Sequence, residues 1–179
     1  MNRLDLLYNH RYLKYNDCIA VLPILTGAQN PVLRSKTKPI EKVTKEIKKL
    51  LKDMEETAKS AEGVGIAAPQ VGRSERVCLA MINGRSAPLI NPEITWKSEE
   101  TDVQQEGCLS LPGIWLLVPR ATAIAVRYLD EKGQLQERML KDWDARVTQH
   151  EVDHLDGILI VDYQPEEHQT DRETAQPAL

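Results

Sequence analysis

In the run Gln149-His150-Glu151-Val152-Asp153-His154, two imidazoles stand four residues apart around a carboxylate. On a helix, positions i and i+4 share a face, so both rings can reach one metal ion while Glu151 reaches a water beside it. That layout suits metal-assisted hydrolysis. The bare pattern also arises on charged helices, where paired surface histidines bind nothing, so the surrounding residues matter. Trp143, Val147 and Leu155 recur at near-helical spacing and Gly157 is placed as a C-terminal stop, which predicts a real helix here.

A tetrahedral catalytic site takes three protein ligands and keeps one position open. Cys108 is the third candidate. It lies in Glu106-Gly107-Cys108-Leu109-Ser110, a turn-prone segment followed by Pro112 and Gly113, where the end of a strand could present a thiolate. The alternative is a buried structural thiol, the common fate of free cysteines. Cys78, inside the apolar run Arg76–Ile82, and Cys18, without metal-ligating neighbours, read that way. Three cysteines with no paired spacing and no signal peptide point to a reducing compartment rather than a disulfide framework.

A third segment, Glu62-Gly63-Val64-Gly65-Ile66-Ala67-Ala68-Pro69-Gln70-Val71-Gly72, lacks the glycine spacing and the following Lys-Ser/Thr of a nucleotide loop. Gly63 and Gly65 allow close backbone approach, and Gln70 offers a neutral amide donor suited to a developing oxyanion. A plain glycine-rich turn after a helix accounts for it equally well.

The elements that must position these groups follow from periodicity. Val43, Ile47, Leu50, Leu51, Met54 and Ala58 predict an amphipathic helix within Glu41–Ala61, packed on a sheet. Strands are predicted at Val77–Ile82, Pro88–Ile94, Ala121–Tyr128 and Leu135–Met139, with Asp130-Glu131-Lys132-Gly133 as a turn, and at Ile158–Val161. A chain of 179 residues with 41% hydrophobic content predicts a single core. We place an N-terminal extension at 1–22, one catalytic domain at 23–163 and a poorly ordered polar tail at 164–179. Residues Met1–Ala20 hold no long apolar run, which predicts neither a secretory signal nor a membrane span; Arg3, Arg11 and Lys14 would suit a transit peptide, but Asp5, Asp17 and the lack of serine oppose it. A net charge of −4 and a pI near 5.6 argue against a general nucleic-acid binder. The basic stretch Lys36–Lys52 alternates with acids and reads first as a solvated helix face, with docking near the ribosomal exit as the alternative.

Gly63-Val64-Gly65-Ile66-Ala67-Ala68-Pro69-Gln70, Glu106-Gly107-Cys108-Leu109-Ser110 and Gln149–His154 together resemble the peptide deformylase family, whose three signature motifs they match in order from Leu22 to Tyr163. The resemblance implies an α+β fold, small mixed or antiparallel sheets around a central metal-binding helix that carries the His-Glu-x-x-His motif. It implies a cytoplasmic hydrolase that removes the formyl group from the initiator methionine of nascent polypeptides, with transient ribosome contact and no membrane or specific nucleic-acid partner. It also implies one divalent metal, iron(II) foremost, with zinc or nickel as substitutes, held by Cys108, His150 and His154. Glu151 would be general base and acid; Gln70 and the Leu109 backbone amide would donate to the oxyanion. Gly63, Val64 and Gly65 would line the substrate, and Glu62 would form an ion pair with Arg120 in support of that loop.

The chain departs from the family in two ways. Where many bacterial members carry a backbone-binding arginine seven residues after the metal cysteine, it has Trp115, and with no phenylalanine its methionine pocket falls to aliphatic residues and Trp143. The two competing readings are a zinc peptidase of the His-Glu-x-x-His kind, which would need Glu166 or Glu173 downstream as third ligand, and a non-catalytic relative that binds peptide or metal.

Overall fold

The computed structural model describes residues 19–163, so the tail beyond Tyr163, most of the N-terminal extension, and Cys18, Glu166 and Glu173 lie outside the described residues. In chain order the elements are α1 (Lys45–Ser60), β1 (Gly65–Ala67), a 3-10 turn (Ala68–Val71), β2 (Val77–Ile82), β3 (Arg85–Lys97), β4 (Thr101–Gly107), β5 (Trp115–Ala121), β6 (Ala123–Leu129), β7 (Leu135–Lys141), α2 (Asp142–Leu155) and a second 3-10 turn (Ile160–Tyr163). The architecture is α+β. One antiparallel sheet has the order β1-β2-β3-β6-β7, and β4 and β5 form a separate hairpin.

Strand β2 shows why the sheet is covered on both faces. Successive side chains of a strand point to opposite sides. Val77 and Leu79 join Ile47, Leu50, Leu51, Met54 and Ala58 of α1 in one core, while Cys78, Ala80 and Ile82 join Ala145, Val147 and Leu155 of α2 in another. A strand buried on both faces reads as an unbroken apolar run, as this one does. A third cluster, around Leu33, Leu111, Leu116, Val118, Leu159 and Ile160, seats the hairpin.

Both helix ends have local causes. Thr44 caps α1, its side chain accepting from the Ile47 N–H, and α2 begins with Asp142 and Asp144, whose charges favour a helix N-terminus. Gly157 ends α2 at φ +76°, where a Cβ would stand 2.6 Å from the Arg34 carbonyl oxygen. The β2–β3 turn is Asn83-Gly84, both at positive φ, the backbone that matches strand twist.

Two expectations change. Ile158–Val161 is not a strand: the chain closes into a 3-10 turn over Ile160–Tyr163, with Asp162 Oδ2 accepting the Leu159 N–H at 2.8 Å. Short apolar runs fit either state, and here the side chain of Asp162 closes the turn. Strands β1, β4 and β5 were not expected, because β1 is short and glycine-led and the hairpin carries polar residues on one side. At the end of the proposed N-terminal extension, the Ala20 N–H donates to Asp53 and the Leu22 N–H to Thr57 of α1.

Candidate metal centre

Helix α2 packs against the sheet with His150 and His154 turned toward the hairpin, whose β4–β5 turn delivers Cys108 from the other side. The Cys108 sulfur and one ring nitrogen from each imidazole all lie within 4.8 Å of one another. Cys108 Sγ stands 3.2 Å from His154 Nε2, and the two rings meet edge to face with centroids 5.0 Å apart. Metal–ligand bonds of about 2.3 Å to sulfur and about 2.0–2.1 Å to nitrogen put neighbouring ligand atoms about 3.5 Å apart in a tetrahedron, so the donor set fits one ion.

Each side chain is positioned by something specific. Gln149 locks the helix to the end of β5: its Oε1 accepts the Ala121 N–H and its Nε2 donates to the Ala121 and Ala145 carbonyls. Glu106, one residue before the glycine that precedes the cysteine, places Oε2 2.9 Å from His150 Nδ1. With Nδ1 engaged by that carboxylate, Nε2 is left for the site. Arg120 grips both oxygens of Glu106 at 3.0 and 2.9 Å, and Arg146 reaches Oε1 at 2.5 Å. Arg120 also meets Asp153 and the Tyr163 hydroxyl, while Arg146 ties down the Asp102 side chain and the Val118 carbonyl.

The electrostatics follow. Burial works against ionisation of Glu106, but the hydrogen bonds from His150 and Arg120 hold its carboxyl down at about 2. Burial likewise opposes a charge on His150, yet its hydrogen bonds to Cys108 and Glu106 raise it to about 10; a metal would displace that proton. Burial, helped by the His150 charge, holds His154 well below the usual imidazole range. Burial pushes Glu151 up to about 7. Glu151 Oε2 is buried without a partner among the described residues, as is His154 Nδ1.

A cavity of about 490 Å³ opens onto these groups, lined by Gly63, Val64, Gly65, Gln70, Leu109, Trp115, Trp143, His150 and Glu151 among others. Gly65 is required where it stands, because a Cβ there would overlap the Glu151 carboxylate, with Cδ at 2.7 Å. Gln70 is held by the Ala67 N–H at its Oε1, and its Nε2 lies 3.2 Å from Ser110 Oγ and 3.8 Å from Cys108 Sγ. The Leu109 N–H has no protein partner among the described residues. The anticipated candidates therefore converge, with one exception. Glu62 is exposed and does not pair with Arg120, whose charge is taken by Glu106 and Asp153. Arg120 is buried beneath the hairpin, so an acid on the outer loop cannot reach it. Sequence reasoning missed Arg146, Asp153 and Tyr163; the one available signal was that Arg146 precedes His150 by four residues, on the same helix face.

The chain matches the family model "Polypeptide deformylase" over residues 21–170. It is 44% identical over 136 residues to the peptide deformylase of Pseudothermotoga lettingae, covering 76% of this chain and 79% of that one. Against the crystal structure of the Thermotoga maritima peptide deformylase the TM-score is 0.78 at 41% identity, covering 81% of this chain and 99% of the other. A Met-Ala-Ser-bound class I type b peptide deformylase from Acinetobacter baumannii superposes with a TM-score of 0.78 at 33% identity, over 82% of this chain and 100% of the other. The chain belongs to the polypeptide deformylase family and is an enzyme of that family.

Proposed function

We propose that this chain hydrolyses the formyl group from the initiator methionine of nascent polypeptides, releasing formate, with Cys108, His150 and His154 holding one divalent ion. The observation that carries the assignment is the convergence of a thiolate and two imidazoles within 4.8 Å beside a buried, unpartnered carboxylate oxygen. Thiolate plus imidazoles is a borderline-soft set compatible with iron(II), zinc or nickel alike; the family resemblance alone places iron(II) first. Held by these three residues, a divalent ion would supply Lewis acidity to the reaction.

The residues do the rest. Glu151, with a carboxyl near neutrality, takes a proton from water as the new C–O bond forms and returns it to the nitrogen as the C–N bond breaks. The Gln70 Nε2 and the Leu109 N–H donate to the oxygen that gathers charge. Gly63, Val64 and Gly65 present backbone to the peptide, and the cavity's apolar walls take the methionine side chain. Cys108 stands where a zinc peptidase would use a downstream acid, so the peptidase reading lacks support. Among the described residues no helix is long and apolar enough to cross a membrane. Action in the cytoplasm and transient ribosome contact through exposed Lys45, Lys48 and Lys52 of α1 belong to the same proposal.

Formate release from formyl-Met-Ala-Ser, measured beside casein cleavage and metal content, tests it. Stoichiometric metal with formate release and no proteolysis is expected; proteolysis, or metal binding without formate, overturns it.

A further inference from the structure

The β4–β5 hairpin has an outer face that the catalytic cavity does not use up. Its register pairs Val103 with Pro119, Gln105 with Leu117 and Gly107 with Trp115, and strand alternation puts all six on one side. The opposite side carries Glu106, Leu116, Val118 and Arg120, which are buried, and Asp102 and Gln104, which are not. The outer six contain no charge, although 28% of the chain is charged. Val103, Leu117 and Trp115 are 59%, 62% and 63% exposed, an apolar row where solvent-facing strands normally carry polar groups.

This row is continuous with the catalytic cavity. Gln105, Gly107 and Trp115 belong to the face and also line the cavity. The Trp115 ring lies over Gly107, where a Cβ would stand 3.0 Å from ring atoms, so no side chain separates the indole from the cavity wall. A polypeptide with its formyl terminus in a cavity of about 490 Å³ must leave across the rim. Elsewhere the rim carries the charge of Glu62 beside single exposed apolar side chains, Val64 and Trp143; among the described residues only the hairpin continues the cavity into an uncharged row.

We propose that the outer face of β4–β5 is a track for the downstream part of the substrate, an extended polypeptide segment with apolar side chains beyond the residues held in the cavity. From Trp115 to Pro119 the track is about 13 Å long at roughly 3.3 Å per residue, room for about four extended residues. It rests on the deformylase reading above and adds to it a preference that no tripeptide can report.

The test compares kcat/KM for formyl-Met-Ala-Ser with the same peptide extended by Val-Leu-Val-Leu or by Asp-Ser-Asp-Ser. In the wild type the apolar extension should raise kcat/KM about fivefold to tenfold, the gain from covering one half-exposed side chain, and the acidic one should give no gain. Leu117→Asp and Val103→Asp, each checked for folding by circular dichroism, should bring the apolar ratio toward one. Leu117→Lys should favour the acidic extension, and Leu135→Asp, on β7 away from the hairpin, should leave the ratio as in wild type. An extension ratio of one in the wild type, or equal loss in Leu135→Asp, overturns the track. So does sedimentation showing a dimer that Leu117→Asp dissociates without changing the ratio, since the face would then serve a second copy. Formate release from the tripeptide without any extension effect removes the track alone; no release from any peptide removes the deformylase reading and the track with it.

Discussion

Glu106 Oε2 lies 2.9 Å from His150 Nδ1, so the carboxylate that orients one imidazole also anchors Arg120 and Arg146, and the helix and the hairpin meet on one side chain. Replacing it with glutamine keeps the shape and removes the one buried carboxylate the two guanidiniums share, leaving Arg120 with Asp153 and Arg146 with the half-exposed Asp102. Glu106→Gln should cost about 3–5 kcal/mol in stability and weaken metal binding roughly 10- to 100-fold. Thermal melts and metal titration check both; unchanged metal affinity would remove Glu106 from the support of His150.

Cys108→Ala and His154→Ala should each lose metal and formate release together, because each removes one of three ligands. Glu151→Gln keeps a side chain of the same size and removes the base, so it should retain stoichiometric metal while kcat falls about 10²- to 10⁴-fold. Full metal occupancy in Cys108→Ala would exclude the thiol from the site.

Gly65→Ala tests the close approach of β1 to α2. The added methyl would overlap the Glu151 carboxylate and turn it from its place. A displacement of about 1 Å costs on the order of 10²-fold in rate, with bound metal retained. Wild-type kcat in this variant would mean that Glu151 works from another position.

Trp115→Arg should lower KM for formyl-Met-Ala-Ser with kcat nearly unchanged. Indole has one donor and a large apolar face, whereas guanidinium offers a forked set of donors to peptide carbonyls, a contact made alike in ground and transition states. Steady-state kinetics on the two proteins decide it; a change confined to kcat would place Trp115 outside the peptide path.

The loop acid and the buried arginine should differ sharply in stability. Glu62→Ala removes an exposed side chain with no ion partner among the described residues and should change stability by no more than about 0.5 kcal/mol. Arg120→Met removes the buried charge shared by Glu106 and Asp153, leaving Glu106 to Arg146 and His150 and Asp153 to the Tyr163 hydroxyl, and should cost about 3–5 kcal/mol. Denaturant titrations compare them, and equal effects would contradict the observed pairing.

The spacing of His150 and His154, the glycine stop at Gly157 and the unbroken apolar run of β2 were legible because they are local. A helix puts i and i+4 on one face whatever surrounds it, and a strand buried on both faces cannot carry a polar alternation. The Asn83-Gly84 turn carried an equally local signal that the strand assignment did not use.

Residue types alone left open whether Cys108 was a ligand or a core thiol, and whether Gln70 belonged to a site or a turn; resemblance to a family assigned them roles. Only the fold brings these side chains, far apart in the chain, around one cavity, and only the fold decides which acid meets Arg120. Glu62, Glu106 and Asp153 are all carboxylates in sequence. Burial under the hairpin selects the two that come with it into low dielectric and leaves Glu62 in water, because a buried guanidinium is stable only beside partners that share its burial.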